Sequence, residues 1–235
     1  QINIAKPFAD PTGGAVHPDL PFISVMTITY GRPSLLEEAI ESFLRQDYEG
    51  RKEMVVVNSC PQQQLLCDAP GVRIINWPER PSSLGACRNL CIAHCAGSHV
   101  LTLDDDDIIL PHYMRMCAQA LVSGGWEWVK VGQLVCMVDR KIEYIRAPAM
   151  NQLLFARAAW ARCGGYPERD CGEDLAFVER LHTEAAGRRE SRPWEESGYL
   201  YGWGSHGGQV LHASQSSPEA PDRSVTPAQV HRFVQ

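Results

Sequence analysis

The sequence predicts one α/β domain built on a mostly parallel, doubly wound sheet. Strand-like and helix-like segments alternate four times between Phe22 and the helix opened by Pro111, the pattern of successive βα units. The first strand, FISVMTITY (22–30), is rich in β-branched residues and reads as buried. With 235 residues, 44% of them hydrophobic and 21% charged, the chain has material for one sizeable core and an ordinary surface.

Residues 1–20, rich in Pro, Gly and Asp, read as an irregular lead-in, and the domain proper is expected over 21–214. After the first strand, Ser34 and Glu37 have the spacing of a capping box. Leu35/Ala39/Phe43 and Leu36/Ile40/Leu44 then supply a helical apolar stripe. A second strand is expected over Met54–Val57, ending at Asn58, and a third over Val72–Asn76. The Pro-rich loop Trp77–Ser83 leads into a helix from about Gly85 that Gly97 stops. His99–Leu103 forms a fourth strand running straight into Asp104–Asp107, and Pro111 opens the next helix, since proline suits a first helical turn. From Trp126 to Arg146 two extended runs around Asp139–Lys141 predict a small β-hairpin. Helices near Ala156–Cys163 and over Gly172–Ala186, with short strands near Tyr199–Tyr201 and Gln209–Leu211, complete the domain. Residues 215–235 are a polar, Pro-rich tail with a short helix from Pro227.

The net charge of −6, from 22 Lys+Arg against 28 Asp+Glu, argues against a broad nucleic-acid or anionic-membrane surface. No apolar run reaches the roughly 18 residues of a membrane span, and QINIAKPFAD lacks a signal-peptide pattern. The nine cysteines form no CxxC pair. Cys87, Cys91 and Cys95 recur at helical spacing and read as small, semi-apolar residues of a buried face rather than a metal stripe. Scattered free thiols suit a reducing cytoplasm, the expected location.

The strongest chemical signal is LTLDDDDIILP (101–111). Four consecutive carboxylates at the end of a buried strand repel one another, and a bound cation relieves that repulsion. Strand ends of this kind line the ligand crevice of an open α/β sheet. Hard oxygen ligands suit Mg²⁺ or Mn²⁺, both of which bridge diphosphate oxygens.

LDDDD with Pro111 resembles the DXD segment of family 2 glycosyltransferases, which have the GT-A fold. The resemblance runs from about Phe22 to Ser214. ISVMTITYGRPSLLEEAIESFLRQ is similar to the family's first strand and helix, where Asn often stands in place of Gly31. LGACRN (84–89) is similar to a family element with Gly, Arg and Asn in this order, whose Arg and Asn lie near the donor. GGYPERDCGEDLAFVERL (164–181) matches a GG-aromatic turn followed by the acidic pair that opens a catalytic helix. YLYGWGSHGGQVLHAS (199–214) is similar to the family's closing segment.

The resemblance implies an inverting transferase that carries a sugar from a nucleotide-sugar donor to an acceptor hydroxyl. It assigns Asp104 and Asp106 to the metal, with Asp104 also meeting the ribose, and Asp107 to ordering the loop. His212 completes the metal site, with His206 the weaker choice, and an imidazole ligand would favour Mn²⁺ over Mg²⁺. Asp174 is the general base and Glu173 fixes the acceptor or the loop. Thr29, Tyr30, Arg32, Asn58, Arg88 and Asp105 are assigned to the donor. Relatives often have an acidic residue where this chain has Asn58, whose amide both donates and accepts hydrogen bonds. UDP is therefore a default, with GDP and dTDP open.

The acceptor classes are a glycan, a lipid-linked sugar, a protein side chain, a small metabolite or a hydroxymethylated DNA base. Arg188, Arg189 and Arg192 add local positive charge, but nothing resembles a stripe for duplex phosphates, so nucleic acid is not favoured. The alternative to catalysis is a GT-A scaffold that binds a nucleotide or a partner. A sugar nucleotidyltransferase would need a Gly-rich phosphate loop after the first strand, and TYGRPSLL offers only Gly31.

Overall fold

The computed structural model describes residues 17, 19–130, 134–138, 141–146, 152–189 and 199–202. The expected alternation is present as β1 (Ile23–Thr29), α1 (Pro33–Leu44), β2 (Lys52–Asn58), β3 (Val72–Asn76), α2 (Leu84–His94), β4 (His99–Thr102), β5 (Ile108–Ile109) and α3 (Tyr113–Gly124). The second half adds β6 (Trp128–Lys130), β7 (Leu134–Val138), β8 (Lys141–Arg146), β9 (Leu153–Ala156), α4 (Arg157–Arg162), α5 (Glu173–Glu184), β10 (Gly187–Arg189) and β11 (Tyr199–Gly202).

Seven strands form one sheet in the order β10-β6-β9-β4-β1-β2-β3. All neighbours run parallel except β9, which is antiparallel to both β4 and β6. Successive strand residues face opposite layers. Ile23, Val25, Met54, Val56 and Leu101 pack with α1 and α3. Met26, Val55, Val57 and Val100 pack with α2, α4 and α5. Both faces are thus covered, which is why these strands are apolar almost without interruption. The Cys87/Cys91/Cys95 stripe lies within the second layer, buried and free of disulfides.

A four-stranded sheet, β5-β11-β7-β8, begins with the strand that follows β4 and the acidic turn. β7 and β8 are the expected hairpin, with a register shift between Cys136 and Met137. β11 joins β7 to β5.

Several boundaries differ from the sequence expectation. Arg32, not Ser34, is the N-cap of α1, and no side chain caps it. Proline's fixed φ suits the first helical position, so Pro33 starts the helix and Ser34 falls inside it. α2 ends at His94, before Gly97. A Cβ on Gly97 would lie 2.7 Å from the backbone of Phe22 and Ser24, so that glycine permits a close approach to β1 rather than capping the helix. α3 begins two residues after Pro111. α4 falls within the helix expected near Ala156–Cys163, but the strand β9 just before it and the short strands β5 and β10 were not expected, and β6, at the start of the extended run expected from Trp126, joins the main sheet instead of the hairpin. Gln209–Leu211 and the tail 215–235 lie outside the described residues.

Buried Gln46 fixes the stretch that follows the acidic turn. Its Nε2 donates to the carbonyls of Ile109 (3.2 Å) and Leu110 (2.8 Å), and its Oε1 accepts the N–H of Met114 (3.0 Å). One amide thereby ties α1, β5 and the start of α3 together.

Candidate active site

β1 leads through α1 to β2 on one side, while β4 is its neighbour on the other. Such a switch point leaves a crevice at the C-terminal strand ends. The Thr27 hydroxyl donates to the Leu103 carbonyl at 2.7 Å, holding the two strands together just below it. Above lies a cavity of about 490 Å³, lined by Thr29 and Tyr30 from the end of β1, Arg32, Asp104 and Asp105 from the acidic turn, and the loop 80–84. That volume falls in the range of small-ligand and cofactor sites. Gly31, between the wall residues Tyr30 and Arg32, has φ +71°, a left-handed conformation that Gly and Asn tolerate best.

The acidic run folds into a tight turn, with the N–H of Asp107 donating to the Asp104 carbonyl at 3.1 Å. Asp105 and Asp107 are wholly buried, whereas the Asp104 side chain retains 19% of its exposure and Asp106 retains 8%. Buried carboxylates require compensation. Asp105 receives the Thr29 hydroxyl (2.6 Å) and both Nε and Nη2 of Arg32, and Arg32 Nη1 reaches Asp106 at 3.0 Å. Burial nevertheless pushes the Asp105 carboxyl up to about 7, against the pull of Arg32. Thr29, Arg32 and Asp105 therefore build the cavity wall as one hydrogen-bonded unit.

On the other side of Asp104 stands Arg88, 3% exposed, with Nη1 3.0 Å from Asp104 Oδ1 and Nε 3.2 Å from Glu173 Oε1. Glu173 is itself buried at the first position of α5. The Gly85–Asn89 element explains this placement. Gly85 brings α2 against the strap before α5, for a Cβ there would lie 1.9 Å from the Pro167 carbonyl oxygen. Two residues of the strap bind the first turn of α2. The Leu84 N–H donates to Asp170 Oδ1 (2.9 Å), and the Gly85 N–H donates to the Arg169 carbonyl (3.2 Å). Asn89 does not line the cavity. Its Oδ1 accepts the Tyr166 N–H (2.8 Å) and Trp160 Nε1–H (3.1 Å), while its Nδ2 donates to the Tyr166 carbonyl (2.8 Å). It clamps the GG-Tyr turn, whose Gly164 and Gly165 both have positive φ.

Asp174 is half-buried, and its Oδ1 accepts the Leu175 N–H at 2.7 Å. Neither Asp174 nor Glu173 lines the donor-side cavity, and both are tied to it through α5 and Arg88. Asn58 also lies outside the cavity wall. Its Nδ2 donates to the Gln63 carbonyl and to Asn76 Oδ1, and its Oδ1 accepts the Cys60 N–H, so the amide is spent ordering the loop after β2. Ser59 takes the wall position instead.

Sequence reasoning missed Arg80, Ser82, Ser83, Cys87 and Asp170 as wall residues. The Arg80 guanidinium lies over the Tyr30 ring, 4.9 Å from its centroid. The usable signal was position, since 77–83 follows β3 on the edge of the sheet where ligands bind. Burial pushes the Cys87 thiol up to about 11, so it is a neutral part of the wall.

Among the described residues no group of three or more His, Cys, Asp or Glu side chains is placed to hold a metal ion. Asp104 and Asp106 offer two hard carboxylates. Two carboxylates fit a cation that takes further ligands from substrate phosphates and water, the habit of Mg²⁺. His212 and His206 lie outside the described residues, as do Arg192 and the glycines after 202. Arg188 and Arg189 belong to β10, at the far edge of the main sheet and three places from β4.

No helix among the described residues is long and apolar enough to cross a membrane. The chain is 28% identical over 151 residues to WcaA of Escherichia coli (strain K12), named as a colanic acid biosynthesis glycosyl transferase. The match covers 58% of this chain and 53% of WcaA. Staphylococcus aureus TarS 1–349, solved with UDP-GlcNAc, superposes with a TM-score of 0.67 at 16% identity, covering 83% of this chain and 61% of that one. The UDP complex of the same fragment gives 0.63 at 17% identity, over 77% and 60% of the two chains. The chain thus spans about half of WcaA and three-fifths of the TarS fragment, and at these identities the structural likeness shows a shared GT-A fold. Residues 24–149, more than half of the chain, match the model of the family described as Glycosyl transferase family 2, and the chain belongs to that family.

Proposed function

We propose that this chain transfers a sugar from a nucleotide-sugar, UDP-linked by default, to an acceptor hydroxyl with inversion at the anomeric carbon. The observation that carries this reading is the joining of two sites. The acidic turn borders a nucleotide-sized cavity, and the same turn is linked by Arg88 to the acid pair that opens α5. The TarS complexes with UDP and UDP-GlcNAc support a nucleotide-sugar as the ligand of the equivalent fold.

In this reading the donor enters along Thr29, Tyr30 and the loop 80–84, with the Tyr30 ring as a flat surface for the base. Asp104 and Asp106 would hold a divalent cation, Mg²⁺ or Mn²⁺, which when bound offsets charge developing on the departing diphosphate. Asp174 takes the proton of the acceptor hydroxyl as its oxygen bonds to the anomeric carbon and the bond to the diphosphate breaks. Glu173 is not suited to that duty, because its Oε1 already accepts from Arg88 within the protein interior. A sugar hydroxyl is a weak nucleophile, and a positioned base is worth about 10²–10⁴ in rate.

The test is donor hydrolysis across a panel of nucleotide-sugars with Mn²⁺, beginning with UDP-GlcNAc, followed by an acceptor screen with the best donor. Asp174→Asn should lower turnover about 10²-fold or more with donor affinity nearly unchanged. Full turnover in that variant moves the base elsewhere. Donor binding without turnover by the parent would favour a non-catalytic scaffold.

A further inference from the structure

We infer that Arg88 is a positioning residue that registers the base-bearing end of α5 to the acidic turn, acting through Glu173. The inference rests on the proposed transferase reading for its consequence, but on geometry alone for the linkage. One guanidinium spans two carboxylates from distant parts of the chain, Asp104 at 3.0 Å and Glu173 at 3.2 Å. All three groups are largely withdrawn from water, with side-chain exposures of 3%, 19% and 4%. A charge-assisted contact in such a setting is directional and hard to replace by solvent.

The fork matters more than the charge. Nη1 and Nε point in different directions from one rigid plane, so the separation of the two carboxylates is set by the guanidinium itself. Lysine keeps a positive charge but places it at a single point. The position of Arg88 is in turn fixed from both ends of its helix turn. Leu84 and Gly85 are bound by the 169–170 strap, and Asn89 is bound to the GG-Tyr turn. The Arg88 guanidinium also lies 5.8 Å from the Tyr166 ring centroid, and Tyr166 packs on Phe177 of α5 at 4.3 Å between centroids. Arg88 therefore meets the base helix twice, once by charge at Glu173 and once through Tyr166. Asp174, the next residue after Glu173, inherits its place relative to the acidic turn from that arrangement.

A purely structural arginine would weaken everything together. A positioning residue separates binding from turnover. Arg88→Lys, Glu173→Gln and the double variant should be compared using UDP affinity by calorimetry, UDP-GlcNAc hydrolysis with Mn²⁺, thermal melting, and hydrogen exchange of the Ala176–Val178 amides in the full chain. Both single variants should bind UDP within about threefold of the parent and lose about 30-fold or more in kcat, a difference confined to the chemical step. The double variant should be no worse than the poorer single one, because both changes break one link. Exchange at 176–178 should quicken in each, while amides of α1 keep their parent rates. Parallel loss of UDP affinity and kcat, multiplicative losses in the double variant, or unchanged exchange at 176–178 would each overturn the assignment. If Arg88→Lys does not fold, Glu173→Gln decides by the same criteria. The exchange result stands whether or not UDP-GlcNAc is turned over. A parent chain that neither binds nor hydrolyses any nucleotide-sugar refutes the transferase reading and leaves the linkage to be judged by exchange alone.

Discussion

Gly85→Ala is a sharp test of how the two halves of the site are joined, because two effects predict opposite signs. In an open helical position alanine stabilises relative to glycine by about 0.8–1 kcal/mol. At Gly85 the added Cβ would lie 1.9 Å from the Pro167 carbonyl oxygen and 2.9 Å from its carbon, where contacts under 3.0 Å are essentially never seen. Both are backbone atoms, so no side chain can swing aside. Relief requires α2 and the 167–170 strap to part by about 1 Å, which stretches the Gly85–Arg169 and Leu84–Asp170 hydrogen bonds, now 3.2 and 2.9 Å. Overpacking of this kind costs about 1–3 kcal/mol. Set against the helix gain, the net loss lies between about 0 and 2 kcal/mol, or up to roughly 4–8 °C in Tm for a chain of this size. Paired thermal and urea melts of parent and variant measure it. A variant more stable than the parent by the full helix gain of about 0.8–1 kcal/mol would show that the strap does not press on α2.

Two further outcomes follow from the acidic turn. Asp106→Ala leaves Arg32 bidentate on Asp105, so Tm should move by only a few degrees while Mn²⁺-dependent UDP affinity falls at least about tenfold; calorimetry showing parent-like metal-dependent affinity refutes the proposed metal ligand. Asp105 is held up at about 7, above an unfolded value of about 3.9, so between those values the native chain keeps a proton that the unfolded chain has released. Its stabilising contribution is therefore full below about pH 4 and is lost as pH rises through 7, with a limiting slope of about 1.4 kcal/mol per pH unit. Melts in chelator from pH 4 to 8 should show this decline in the parent and a flatter profile in Asp105→Asn, and equal slopes would refute the assignment.

What was legible in the sequence was whatever a single segment could state alone. The apolar runs Ile23–Thr29 and Met54–Val57 are buried on both faces, so composition marked them, and the acidic run followed its strand directly. The short strands were not legible. LLFA runs directly into RAAWAR of α4, and Leu, Ala and Arg are good helix formers, so only pairing with β4 and β6 makes it a strand. Arg88 and Asn89 were visible as a motif, but their duties depend on partners 16 to 85 residues away. The motif placed both near the donor, whereas tertiary packing gives one to an ionic link and the other to a backbone clamp. Asn58 shows the same limit, since an amide at a strand end suits either a ligand or a loop, and Gln63 and Asn76 claim it.

The electrostatics of the site explain why donor and cation belong together in the proposed reading. Asp104, Asp105, Asp106 and Glu173 are four carboxylates, and two guanidiniums pair with them, Arg32 from the cavity wall and Arg88 from α2. Asp105, with its carboxyl held up at about 7, sheds part of that charge at neutral pH. The remaining excess is still negative where the cavity opens beside Asp104. A diphosphate charge about 4 Å from one such carboxylate is repelled by about 1 kcal/mol in water and by about 4 kcal/mol at the effective dielectric of a protein surface. Arg80, lying over Tyr30 on the opposite wall, offsets part of this. At the turn itself, which Arg32 and Arg88 hold in shape, carboxylates still outnumber guanidiniums. In the proposed reading a divalent cation held by Asp104 and Asp106 would offset that repulsion. The arginines therefore act as scaffold for the turn, and UDP affinity without a cation should be weak even though every wall residue is already in place.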